Sequence, residues 1–73
     1  MFMKINMGDV YQSLIDMAVW YERAVWAADN HCIDQDDMPI PYHDDATDEE
    51  NRIYWAGAAA ELRRMAEMYN PYR

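Results

Sequence analysis

A strongly acidic stretch from Asp29 to Glu50 divides this chain and limits how it can fold. The stretch holds nine of the chain's 14 acidic residues and no lysine or arginine. Because like charges repel, a small fold tolerates such a segment best as a solvated connector between two packed elements. The segments on either side both have helical periodicity. The sequence therefore predicts two helices joined by an acidic loop at about residues 32–46.

The first helix is predicted from about residue 9 to about residue 31. Asn6 or Asp9 can cap its start, because either side chain offers an oxygen to the free backbone N–H groups of the first turn. Apolar residues then recur at spacings of four and three, which is typical of one helical face. That face is expected to contain Val10, Leu14, Met17, Tyr21, Ala24 and Ala28, widened by Tyr11, Ala18, Val25 and Cys32.

A second apolar strip lies beside this face. At about 100° per residue, Ile15, Val19 and Trp26 fall close together, and two acidic residues separate them from the main face. Either the short lead-in of residues 1–7 covers this strip, or a second copy or another protein does. Because the apolar surplus is large for so small a chain, we expect Ile15, Val19 and Trp26 to form an oligomer interface.

The second helix, predicted from about residue 47 to about residue 69, has the clearest start in the sequence. Thr47 and Glu50 have the spacing of a capping box, in which each side chain accepts a hydrogen bond from the other residue's backbone N–H. The helix is expected to stop before Asn70-Pro71, because a residue that precedes proline disfavours helical geometry.

The apolar face of this second helix is interrupted by a run of small residues at positions 56–60. Small residues let another helix approach closely, so we expect Tyr21 and Trp26 to lie over this run. The face itself is expected to contain Tyr54, Ala58, Leu62, Met65 and Tyr69, with Trp55 beside it.

The fold class predicted for the 73 residues is all-α, as one small domain. Hydrophobic residues make up 52% of the chain, too many for a disordered acidic tail. The expected architecture is an antiparallel two-helix hairpin with an acidic, proline-containing loop. A lone hairpin of this length buries little apolar surface, so we expect it to dimerise into a four-helix bundle.

The formal net charge of -8 excludes several partners. Direct binding to nucleic acid or to anionic lipid needs clustered lysine and arginine, which the chain lacks. No apolar run approaches the roughly 20 residues of a membrane span, and the first residues do not resemble a signal peptide. Cys32 is the single cysteine, so no internal disulfide is possible. We expect a cytoplasmic protein.

A metal site is the first chemical alternative, because His31, Cys32 and His43 flank the acidic loop and zinc accepts such ligands. No Cys-x-x-Cys pair or repeated ligand spacing accompanies them. The simpler interpretation places His31 at a helix C-terminus, Cys32 as a small buried residue and His43 in a loop. The acids do not follow the calcium-loop pattern either. We therefore expect neither a metal nor another cofactor.

Catalysis is the second alternative. Asp45, Asp48 and Glu49 are spaced to bind magnesium on a helical turn, which resembles the paired acidic motifs of some all-helical nucleotide pyrophosphatases. A second acidic pair on a facing helix is missing. Ser13, the only serine, has no histidine placed by spacing to activate it. A metal-dependent all-α hydrolase is thus an alternative, and the expectation is that the protein is not an enzyme.

Binding to another protein is the hypothesis that the loop favours. Pro39 and Pro41 stiffen a segment that carries three apolar side chains, which either fold back on the helices or anchor a partner. The predicted contact residues combine these side chains with loop acids and one tryptophan near the polar stripe of the first helix. They are Asp34, Asp36, Asp37, Met38, Ile40, Tyr42, Asp44, Asp45 and Trp20.

Carboxylates spaced along a rigid surface can imitate phosphates and occupy a basic groove. The sequence therefore favours a small acidic regulator or inhibitor that occupies a basic, nucleic-acid-binding surface of another protein. In size and charge it is similar to small acidic proteins of bacteriophages and mobile elements that disarm host proteins. The other alternative is a structural or assembly protein whose apolar strip drives oligomerisation.

Overall fold

The computed structural model describes residues 6–34 and 40–72, which form two helices packed against each other. Helix α1 spans Met7–Asp29 and helix α2 spans Asp48–Glu67. Two ion pairs join Asp29 to Arg52 and Glu22 to Arg63, so the helices run antiparallel. These residues contain no strand, which confirms the all-α class and the helical hairpin.

The start of α1 is capped by Asn6. Its Oδ1 accepts a hydrogen bond from the Gly8 N–H at 2.9 Å. A side-chain oxygen in this position satisfies one of the four N–H groups that a first helical turn leaves without a partner. Of the two predicted caps, the structure uses Asn6, and Asp9 lies within the first turn.

The end of α1 comes two residues before the predicted one. His31 has a φ of 55° and Cys32 N–H donates to Ala27 O at 2.9 Å, while His31 N–H donates to Ala28 O at 3.3 Å. These two bonds define a Schellman motif, which normally places glycine at the left-handed position. Sequence patterns missed this stop because histidine occupies that position.

The start of α2 confirms the predicted capping box. Glu50 N–H donates to Thr47 Oγ1 at 3.1 Å, and Thr47 N–H donates to Glu50 Oε1 at 3.0 Å. The helix ends at Glu67 rather than near residue 69, because the last turn tightens. Met68 and Tyr69 donate to carbonyls three residues back, which closes the helix ahead of Pro71.

The buried side of α1 is centred differently from the predicted face. Ala18 and Ala24 are the fully buried residues of this helix, whereas Met17 is 48% exposed. An alanine lets the opposite backbone approach closely, and the neighbouring position is rotated by about 100°. The prediction of Met17 as a core residue is therefore wrong, whereas Ala24 of the predicted face and Ala18 of its widened edge are buried.

The buried side of α2 is likewise rotated by roughly one residue. The buried residues are Asn51, Trp55, Ala59 and Ala66, whereas the predicted Tyr54 is 50% exposed. Trp55 lies at the centre of the buried side, because its whole side chain is buried there and its ring N–H has a hydrogen-bond acceptor. Met65 is also exposed, so only Ala58, Leu62 and Tyr69 of the predicted face are even half-buried.

The small residues of α2 are not covered as expected. Tyr21 contacts the ring of Tyr54, with ring centroids 6.5 Å apart. Trp26 is 62% exposed, and a Cβ added at Gly57 would meet no atom within 4 Å. Gly57 is therefore uncovered, and the placement of Trp26 over this run stays a prediction. In the part of the chain that the structure describes, neither helix combines the length and apolar character needed to cross a bilayer.

Candidate functional site

The loop segment 40–46 folds back along one side of α2, which we call the loop flank. Trp55 Nε1 donates to Pro41 O at 3.1 Å, and the ring of Tyr42 lies 6.0 Å from the Trp55 ring. Tyr42 Oη donates to Asp48 Oδ1 at 2.5 Å. Tyr42 thus packs on α2, which is one of the two arrangements expected for the apolar loop residues, and Ile40 is half-buried.

The Asn51 side chain fixes this loop segment to α2 by hydrogen bonding to the loop backbone. Its Oδ1 accepts from His43 N–H at 3.0 Å, and its Nδ2 donates to His43 O at 3.1 Å and to Thr47 O at 3.0 Å. The side chain is 1% exposed, so all three bonds are shielded from water. Sequence reasoning missed Asn51 because a buried amide interrupts the apolar pattern. Its spacing of four residues before Trp55 was the available signal.

The His43 side chain extends this packing to the edge of α2. Its ring meets the ring of Tyr54 edge-on, with the centroids 5.1 Å apart and the planes at 90°. Aromatic pairs favour this geometry, because the positive edge of one ring faces the negative face of the other. The packing on the loop flank is therefore made by contacts within the chain.

Five exposed carboxylates gather where this loop meets the helices, and we call them the acidic loop end. Within residues 6–34 and 40–72, neither Asp44 nor Asp45 forms a side-chain hydrogen bond or an ion pair. The nearby Glu50 caps α2 instead, and hydrogen bonds from Thr47 hold the pKa of that carboxyl below its ordinary value. The set consists of Asp34, Asp44, Asp45, Asp48 and Glu49.

A shallow groove of about 460 Å³ lies beside the acidic loop end. The end of α1 contributes Asp29 and His31, and the start of α2 contributes Asp48, Glu49 and Arg52. Arg52 neutralises Asp29, so Asp48 and Glu49 set the sign of the remaining charge. A basic side chain is the kind of group that such a groove accommodates. Of the other predicted contact residues, Asp36, Asp37 and Met38 lie outside the described residues.

Two ion pairs bridge the hairpin, and one of them, between Arg52 and Asp29, lines this groove. Arg63 Nε and Nη2 donate to the two Glu22 oxygens at 2.5 and 2.7 Å, and Arg52 Nε donates to Asp29 at 2.5 Å. The hydrogen bond from Arg63 lowers the pKa of Glu22, and the bond from Arg52 lowers the pKa of Asp29. Sequence reasoning missed these pairs, because their partners are 41 and 23 residues apart.

Apolar side chains border these ion pairs on both helices, and we call the whole surface the ion-pair flank. Trp26 is 62% exposed and Ile53 is 61% exposed, while Ile15 and Val19 are half-buried. The predicted interface residues Ile15, Val19 and Trp26 therefore share one side of α1 with Glu22 and Asp29. Whether residues 1–5 cover them lies outside the described residues. The flank consists of Ile15, Val19, Glu22, Trp26, Asp29, Arg52, Ile53, Ala56, Ala60 and Arg63.

Trp20, the remaining predicted contact residue, lies near the middle of α1 rather than beside the acidic loop end. It is 44% exposed, and the guanidinium carbon of Arg23 lies 5.0 Å from its ring centroid. This cation–π contact uses one face of the indole. The structure thus brings Trp20 together with Arg23, and not with the loop acids.

The residues considered as metal ligands are not assembled into a site. In the described ranges, no three His, Cys, Asp or Glu side chains converge closely enough to hold a metal ion. This statement covers the His31, Cys32 and His43 set and the Asp45, Asp48 and Glu49 set. Cys32 is exposed, so its interpretation as a small buried residue is wrong. It follows the Schellman motif and therefore leaves the packed part of α1.

Comparison of the chain with protein-family models, with curated proteins and with solved structures finds no match.

Proposed function

We propose that this protein is a small noncovalent binding protein of the cytoplasm, whose acidic loop end docks on a basic surface of another protein. The observation that supports this proposal is the way the acidic loop is held. Trp55 and Asn51 clamp the loop backbone, while Asp44 and Asp45 beside it remain exposed. A connector that only solvates charge needs no such clamp. A preorganised anionic surface does, because ordering it during binding would weaken affinity.

The rest of the described surface does not offset this charge. Each arginine within residues 6–34 and 40–72 is already engaged: three pair with acids on the hairpin, and Arg23 lies over Trp20. None of these arginines forms an ion pair with a carboxylate of the acidic loop end. Proteins that bind nucleic acid offer the matching basic surface, so the proposed activity is regulation or inhibition of such a protein by competition for that surface.

The experiment compares two triple variants with equal loss of charge. The loop variant carries Asp34→Asn, Asp44→Asn and Asp45→Asn. The control variant carries Asp9→Asn, Asp16→Asn and Glu67→Gln, which lie far from the loop. Each form is used to capture proteins from a bacterial lysate at about 0.1 M and about 1 M salt, where the Debye length is about 10 Å and about 3 Å. The protein captured by the parent is then purified and titrated.

The loop variant should bind the purified partner about tenfold more weakly than the parent, equivalent to about 1.4 kcal/mol. The control variant should bind nearly as the parent does, with circular dichroism confirming helicity in both. The difference between the variants should shrink at high salt. Equal weakening by the two variants would assign the effect to net charge, and binding unaffected by either would end the proposal.

We further propose that the chain forms a homodimer, a four-helix bundle, through the ion-pair flank. The described core is thin, because four of its five buried apolar residues are alanines. Trp26 and Ile53 on this flank are 62% and 61% exposed, and a second copy packed on the flank would remove both from water.

Light scattering at tens of micromolar should give at least twice the chain mass of 8.7 kDa. Trp26→Glu places a charge in the centre of the ion-pair flank and should leave a monomer. Trp20→Glu is the matched control, because it makes the same change on an exposed tryptophan outside the flank, and it should remain a dimer. A parent chain that is monomeric at this concentration would refute the bundle.

A further inference from the structure

We draw no further inference here: the strongest candidate, the shallow groove between the end of α1 and the start of α2, belongs to the acidic loop end already described, and nothing in the structure shows what occupies it.

Discussion

The two sides of α2 differ in the groups that they bury and in the groups that they expose. On the loop flank, Trp55 and Asn51 are fully buried, and each polar atom of their side chains has a partner in the loop backbone. On the ion-pair flank, Trp26 and Ile53 are exposed, and the contacts between helices are charged pairs in water. The first side is complete within one chain, and the second has apolar area left over.

Because of this difference, the two flanks should contribute differently to folding stability and to binding. Buried hydrogen bonds and a buried indole are expensive to remove, because the groups left behind lose both packing and partners. Ion pairs that are about half-exposed contribute little, because water and salt screen them. The loop flank should therefore hold the hairpin together, and changes on the ion-pair flank should act mainly on association.

Trp55→Ala gives the largest expected effect. Removing a buried tryptophan destabilises a protein by about 3–5 kcal/mol, which for a chain of this size should leave it largely unfolded. Circular dichroism during urea titration measures the loss. Trp55→Phe keeps most of the apolar area and removes the donor to Pro41 O, so it should cost about 1–2 kcal/mol and stay folded.

Trp26→Ala is the matched change on the other flank. In dilute solution, where the chain is monomeric, it should alter the free energy of unfolding by less than about 0.5 kcal/mol. Comparable destabilisation by Trp26→Ala and Trp55→Ala would contradict the distinction between the two flanks.

Asn51→Ala should have the second largest effect. It leaves His43 N–H, His43 O and Thr47 O without the side chain that satisfies them, at an expected loss of about 2 kcal/mol. Amide hydrogen exchange at His43 should accelerate at the same time. Asn30→Ala removes one exposed side-chain bond, to Trp26 O, and serves as the control with little expected change. Slow exchange at His43 in Asn51→Ala would show that another contact holds the loop.

These residues also show how far the sequence predicts the fold. Both helices, the Thr47 capping box and the stop before Pro71 follow from local spacing, and local spacing is what a sequence displays. The rotation of α2 depends on Asn51 bonding to His43, a polar contact that no apolar pattern records. The Glu22–Arg63 and Asp29–Arg52 pairs join distant segments, so only the packed helices reveal them.

Some residues of the candidate surfaces also follow from local sequence patterns, and others do not. The strip of Ile15, Val19 and Trp26 is a local property of α1, and the structure places all three on one flank. Tyr42 was predicted only as one of two outcomes, because its contact with Trp55 depends on the path of the loop. Trp20 was grouped with the loop acids although the sequence placed it only near the polar stripe of α1, and that place does not determine how close it lies to the loop.

His31→Gly tests the junction where α1 ends and the loop begins. An L-residue at a φ of 55° is strained by roughly 1–2 kcal/mol, and glycine is not. Glycine also loses more backbone entropy on folding, so the net expected stabilisation is about 1 kcal/mol. Asn30→Gly is the control, because Asn30 has a φ of -102° and gains nothing from glycine. Equal destabilisation by both variants would refute the strain at His31.

Glu22→Gln should have the smallest effect on the free energy of unfolding. Its pH dependence distinguishes loss of the ion pair from loss of packing. Arg63 lowers the pKa of Glu22 below its ordinary value of 4.5, so the folded chain binds fewer protons at this site than the unfolded chain. Stability from this pair is complete above the unfolded pKa and is lost as pH falls through the folded pKa. The pair is about half-exposed, so its full contribution should be below about 1 kcal/mol.

The difference in unfolding free energy between the parent and Glu22→Gln should therefore be present at pH 7 and shrink as pH falls below 4.5 and through the lowered pKa of Glu22. Taking this difference cancels the relief of general repulsion that acid brings to a chain of net charge -8. Asp16→Asn is the control on an exposed acid of α1 outside the ion-pair flank, and should give a smaller difference at pH 7. A difference for Glu22→Gln that stays constant as pH falls would mean that the side chain contributes through packing. The ion-pair flank would then stabilise the fold through packing, as the loop flank does.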